Sequence, residues 1–366
     1  MMRLLFALVL LLSAPLALAQ TPVRIVHVAP WGLGTGASWA TAYGSLDAAL
    51  GNAQPGDVIV LASGSYVPGG TDRTATFEIG PEVAGVYGGW IGNETLTPGT
   101  FADALDARFI EGNQATLSGD LVRDDTPGTI RVGKDDNAFH VVTIGARTAP
   151  LVLDGVTIVG GFADQRFVTG RTPTRSGGGL YALASSGALD LTLRHVRFDQ
   201  NYGSYGADLF VEAQSPARLL RLTLEEVTGR NPFDVTSVWV EVQTVQSVIR
   251  VRESNWTSSA DEPLADFLYV NHQGDHGAAT TDSVSVVGVT AELGLNVFSS
   301  GFGFSTYGAR PLLDVAEPMY ESRWAARGKR RFAHAMCSSI VRWPAGSSSF
   351  NVRTTCAGNC RPISTA

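Results

Sequence analysis

The strongest constraint on the fold is a recurrence that begins near residue 140. Five blocks open on an apolar-x-apolar pattern: LVLDGV (151–156), LTLRHV (191–196), LTLEEV (222–227), IRVRES (249–254) and VSVVGV (284–289). Ahead of four of them runs a second apolar segment carrying an aromatic, at Tyr181, Phe210, Trp239 and Tyr269, spaced 29 or 30 residues apart. A unit of this size, holding two or three short strands, cannot bury its own inward side chains. Stacked units pair their strands in parallel and build one continuous apolar column. Alternation within a block sends Leu191, Leu193 and Val196 inward, with a turn after the second, and leaves Thr192 and Arg194 outward. No block sustains a helical period, and a sandwich would not bring like residues back at a fixed interval. The pattern predicts an all-β solenoid, a parallel β-helix, over about residues 20–295.

The chain ahead of the repeat reads strand, helix, strand. Val23 to Val28 alternate and are rich in β-branched residues, and a Gly-rich loop follows from Trp31 to Ser38. Ser45 can cap a short helix whose Leu46, Ala49, Leu50 and Ala53 share one face. Gln54-Pro55-Gly56-Asp57 is a turn signal, and Val58 to Ala62 form the next strand. At the start, Arg3, the apolar run Leu4 to Leu12 and the small-residue exit Ala17-Leu18-Ala19 describe a secretory signal peptide over residues 1–19. That run is too short to cross a bilayer, which needs roughly 20 apolar residues. The expected location is therefore outside the cytoplasm, secreted, periplasmic or at the cell surface, with no transmembrane segment in the mature chain.

Composition narrows the partners. The 41 glycines and a charged content of 17% suit a turn-rich β protein, and a net charge of −7 argues against nucleic acid and anionic membranes as general partners. From Ser322 onward Lys and Arg occur without Asp or Glu, and Cys337, Cys356 and Cys360 all lie there. Residues 296–366 read as a divergent basic tail, disordered or forming a C-terminal cap. Cys356 and Cys360 could bridge a small loop and leave Cys337 free; the paired C-x-x-C spacing of a zinc site is missing.

The segments GASWATAYGSLDAAL (36–50), AQPGDVIVLASGSYVP (53–68), VAGVYGGWIGNE (83–94), ATLSGDL (115–121), NAFHVVTI (137–144), LDGVTIVGGFAD (153–164) and GGGLY (177–181) occur in that order. Over about residues 25–210 the chain resembles bacterial secreted proteins with the right-handed parallel β-helix repeat, including those with a choice-of-anchor Q domain. The resemblance implies a right-handed parallel β-helix with a short N-terminal capping helix at about residues 43–53, the helix covering the open end of the solenoid. It implies a location and a shape more than a chemistry, because such proteins are mostly without an assigned reaction.

Parallel β-helices often carry polysaccharide lyases and hydrolases, whose chemistry needs converging carboxylates or a basic residue beside bound Ca²⁺. The short motifs of galacturonan hydrolases and pectate lyases are absent. The fourth position of successive blocks carries Asp154, Arg194, Glu225 and Arg252, with His195, Arg197 and Asp199 beside it. As a catalytic groove this column would use Arg194 or Arg197 as base with Asp199 nearby, and Asp154, His195 and Glu225 as ligand contacts. As a plain structural feature it is a solvent-facing ladder of alternating charge, the favoured reading. His272, Asp275 and His276 could hold a transition metal, but their glycine-flanked stretch also reads as an ordinary loop. Asp120, Asp124, Asp125, Asp135 and Asp136 form an acidic insert without the spacing of a calcium loop. The expected function is a non-catalytic exported solenoid that binds polysaccharide or a cell-envelope component, with no cofactor. The alternative is a pectate-lyase-like polysaccharide lyase or glycoside hydrolase, for which alone Ca²⁺ would be expected.

Overall fold

The computed structural model describes residues 23–126, 132–165, 169–214, 217, 219–231, 235–243, 247–258 and 268–273, and the strands at 282–287, 290–291, 302–307, 312–315, 337–342 and 351–356. The apolar leader lies outside the described residues.

The protein is mostly β and solenoid-like, with a few short helices. From Leu151 onward the chain visits three sheets in a fixed order. Leu151–Asp154 belongs to the first sheet, Val156–Val159 to the second and Leu180–Ala184 to the third, and Ala188–Arg194 returns to the first. Each later circuit repeats this path, and each strand pairs in parallel with its counterpart one circuit earlier. Parallel pairing follows because the same sequence block is laid down in the same direction on every circuit.

The repeat fixes the register. Leu151, Leu191, Leu222, Ile249 and Val284 stand opposite one another on five consecutive strands. Tyr181, Phe210, Trp239 and Tyr269 do the same on the third sheet. Leu191, Leu193 and Val196 are buried, and Thr192 and Arg194 are not, as period-two alternation requires. Parallel pairing also continues past residue 295, where no repeat is legible: Phe302–Tyr307 extends the third sheet and Leu312–Val315 the first. Two antiparallel pairings then end the first sheet, and their register sets Cys337 opposite Cys356.

Ser45 caps the helix Leu46–Gly51, its Oγ accepting from the Ala48 N–H at 3.2 Å. Leu46 and Ala49 join the main core, and the helix packs against Ile25–Val28 and Phe77–Ile79, the terminal strands of the first and third sheets. A second apolar layer lies on the outer face of the first sheet. There Trp39, Trp90, Val58 and Val60 meet Phe101, Ala104 and Leu105 of the excursion between Val83–Trp90 and Ala115–Ser118. Among the described residues no helix is long and apolar enough to cross a membrane.

Candidate functional site

The corner between the first and second sheets carries the polar side chains singled out in the sequence, and one or two residues make the turn on each of the successive circuits from Asp154. Gly155, His195, Glu226 and Glu253 occupy that corner with φ of +70°, +48°, +52° and +45°. Left-handed backbone costs a non-glycine residue roughly 1–2 kcal/mol. Here it is supported by the ladder running through the turn: the N–H groups of Gly155, His195 and Glu226 donate to the carbonyls of Arg194, Glu225 and Arg252 at 3.0, 3.0 and 3.1 Å. Non-glycine residues held in this region cluster at functional sites, which directs attention to the surface they form.

That surface is a groove of about 390 Å³. Its floor and one side are Thr157, His195, Arg197, Glu226, Thr228 and Glu253; its other wall is Ile110, Glu111 and Gln114 from the excursion. Consecutive circuits therefore each contribute side chains to a single depression.

Asp154 departs from expectation. Instead of facing solvent on a charge ladder it is fully buried, because the excursion folds over the outer face of the first sheet and brings Arg108 down onto it. Arg108, 1% exposed in its side chain, donates to Asp154 Oδ2 at 2.8 Å and to the Gly88 carbonyl at 2.8 Å, and lies by the Tyr87 and Trp90 rings. Arg194 donates to the same oxygen through Nε at 3.0 Å and Nη2 at 2.6 Å, and His195 Nδ1 is 2.9 Å from Oδ1. Burial alone would raise the Asp154 pKa, but Arg108, His195 and Arg194 outweigh it and hold the carboxyl below its ordinary value. Burial likewise works to lower Arg194, but the Asp154 carboxylate prevails and raises it.

The Asp154 contact assigns the His195 proton to Nδ1 and leaves Nε2 toward the groove, 3.4 Å from Glu226 Oε2. An imidazole oriented by a buried carboxylate can exchange protons or accept a hydroxyl from a ligand. Arg197 reaches Asp199 Oδ2 at 3.2 Å, and Asp199 also binds Arg230 through both oxygens, at 2.9 and 2.8 Å. The structure thus brings Asp154, Arg194 and His195 into one cluster, and Arg197, Asp199 and Arg230 into another. Glu225 stands in register between Arg194 and Arg252 on the first sheet and does not line the groove. His272 falls on the strand Leu268–Gln273, while Asp275 and His276 lie outside the described residues.

Sequence reasoning missed Arg108, Glu111, Glu226 and Glu253. A signal for the two corner glutamates was present: the fifth block position is Gly in LVLDG and VSVVG, and His or Glu in the others. No protein family, no curated protein and no solved structure matches the chain.

Proposed function

We propose that the chain is an exported right-handed parallel β-helix that binds a polysaccharide, neutral rather than polyuronic, along the groove at residues 155, 195, 226 and 253, without turning it over. The fold assignment draws on the circuit through three parallel sheets and on the resemblance to bacterial secreted β-helix repeat proteins. The hand follows from the general preference of parallel strand–crossover–strand connections. Export draws on the leader at residues 1–19.

The observation that carries the binding role is the groove's makeup. Hydrogen-bonding side chains from consecutive circuits, about 4.8 Å apart, line one open depression, a surface suited to an extended chain of hydroxyls. Glu111, Glu226 and Glu253 there outnumber Arg197, which is already paired with Asp199, so a polyanion would be repelled. Arg194, the first candidate for a lyase base, has its protonated form stabilised by a buried carboxylate. The test is affinity electrophoresis of the full chain in gels containing neutral polysaccharides or polygalacturonate, repeated with Thr228→Ala and Glu226→Gln. Retardation by a neutral polymer, reduced in both variants, is expected. Retardation by polygalacturonate alone, or no retardation by any polymer, sinks the reading.

One observation favours a second reading. Glu226 and Glu253 hold the same corner position on adjoining circuits, and two carboxylates about 5–10 Å apart are what glycoside hydrolysis needs. Release of reducing ends that disappears in both Glu226→Gln and Glu253→Gln would establish a hydrolase and displace the binding-only role.

A further inference from the structure

We propose that the pocket between residues 27–40 and 92–96, beside the first strand of the first sheet, binds one ring of a neutral sugar stacked on Trp31. The pocket holds about 540 Å³, within the roughly 300–1,000 Å³ of small-molecule sites. Two segments build it: the Gly-rich loop after Ile25–Val28, and the first residues of the excursion whose far end walls the groove. Pocket and groove are separate sites and share no lining residue.

Both segments are held by their own hydrogen bonds. In the loop the N–H groups of His27, Gly34 and Ala29 donate to the carbonyls of Gly36, Ala42 and Tyr43 at 2.8, 2.8 and 2.9 Å. On the excursion Glu94 folds back, Oε1 accepting the Ile91 N–H at 2.7 Å and Oε2 those of Gly92 and Asn93 at 3.0 Å each. Trp31 lies against Gly92, where a Cβ would stand 2.8 Å from its ring, so the missing side chain seats the indole. The ring lines the pocket and is 56% exposed, which leaves a broad apolar surface open to a ligand. A site formed in advance costs a ligand little ordering.

The polar groups of the lining select the ligand. His27 is 5% exposed, and its Nδ1 stands 3.1 Å from the Gly36 carbonyl, which can only accept, so Nδ1 carries the proton and Nε2 a lone pair. Burial lowers the His27 pKa, outweighing the Gly36 hydrogen bond and the charge of Glu94, and keeps the ring neutral. Trp39, also in the lining, meets His27 edge-on at 4.7 Å, and its buried Nε1–H has no acceptor. An acceptor and an unmet donor on neighbouring rings match hydroxyls, which both give and take hydrogen bonds. No Lys or Arg lines the pocket, so an anion finds no counter-charge there. The one lining carboxylate, Glu94, is already engaged by three N–H groups, which weakens its hold on a cation. A pyranose ring, neutral, apolar on one face and edged with hydroxyls, meets these conditions together.

The test is saturation-transfer NMR of the full chain with the methyl glycosides of glucose, galactose and mannose and with N-acetylglucosamine. It is repeated with Trp31→Ala, Trp31→Tyr and Thr228→Ala. Trp31 is exposed, so its replacement does not put the fold at risk, and an unchanged Tm checks this. At least one sugar should receive saturation at its ring C–H protons. Its affinity should fall about ten-fold or more in Trp31→Ala and be largely retained in Trp31→Tyr, which keeps a stacking face. Thr228→Ala, in the groove, should bind it as the wild type does. No transfer to any of the sugars at about 10 mM, roughly ten times a 1 mM Kd, overturns the proposal. So does equal binding by the wild type and Trp31→Ala, or a loss in Thr228→Ala as large as that in Trp31→Ala. Displacement of the sugar by tetramethylammonium would mark a cation site and overturn it as well. The two alanine variants separate this site from the groove, so either reading can fail without the other.

Discussion

Asp208 offers a quantitative test of the interior. It is fully buried just ahead of Leu209–Ala213, hydrogen-bonded by Asn201 Nδ2 at 3.3 Å and by the Ser237 side chain. Burial pushes its carboxyl up to about 7, with the charge of Asp199 adding to the effect. In the unfolded chain an aspartate titrates near 3.9. Between about pH 4 and pH 7 the folded protein therefore holds a proton that the unfolded chain has released, so stability falls as pH rises through this window and the full loss is present above about 7. At 1.36 kcal/mol per pH unit the span is worth roughly 4 kcal/mol. Asp208→Asn keeps the size and neutral polarity of the protonated carboxyl and removes the titration. His140 acts in the opposite sense: burial lowers it to about 4, and the stability it contributes above about pH 6.5 is lost on acidification toward 4. The wild-type curve alone mixes the two, whereas the difference between wild type and Asp208→Asn isolates one. The assay is thermal unfolding of both proteins from pH 4.5 to pH 8. The variant should match the wild type near pH 4.5 and exceed it by a margin approaching roughly 4 kcal/mol at pH 8. A difference that does not change with pH would refute the assignment of a protonated Asp208.

Three further outcomes are expected. Asp154→Ala strands Arg108 without a counter-ion and should cost about 3–5 kcal/mol in urea unfolding at neutral pH; the deficit should shrink below about pH 4, since the lowered Asp154 pKa stabilises only while the carboxyl is ionised. A smaller loss than that of Arg194→Ala, whose side chain is partly exposed, would contradict the buried pairing. Gly161→Ala should destabilise by about 1–3 kcal/mol or more, because its Cβ would stand 1.7 Å from the Gly178 carbonyl oxygen, while Gly51→Ala, with nothing within 4 Å, should be neutral or slightly stabilising. Ser45→Ala removes the hydrogen bond to Ala48 and should lower stability by about 1 kcal/mol, read as a small drop in Tm.

The register of the later circuits was legible because nothing interrupts them. Tyr181, Phe210, Trp239 and Tyr269 recur every 29 or 30 residues, and burial of every second residue leaves one way to stack the strands around them. The early circuits were not legible as repeats, because long excursions separate their strands: Val83–Trp90 is followed by residues 91–114 before Ala115–Ser118 begins. The same excursion explains the error at Asp154. Alternation correctly places that side chain outside the sheet, but it carries no information about what folds over the outer face. Arg108 meets Asp154 from 46 residues away, a contact that no local pattern encodes. The corner glutamates were hidden for another reason. Glu is an uncommon left-handed residue, and only comparison with Gly155 and Gly288 in the same block position marks the turn.

The excursion at residues 91–114 leaves from a corner that elsewhere takes one or two residues, and it supplies one whole wall of the groove. Its length and sequence are therefore uncoupled from the stacking of the strands, whose core is complete on the other side of the sheet. A chain built this way can exchange the wall while keeping the ruled floor, so that the spacing of contacts is inherited and the choice of what fits between wall and floor is free to drift. Arg108 on Asp154 then serves as the latch by which any such wall is docked.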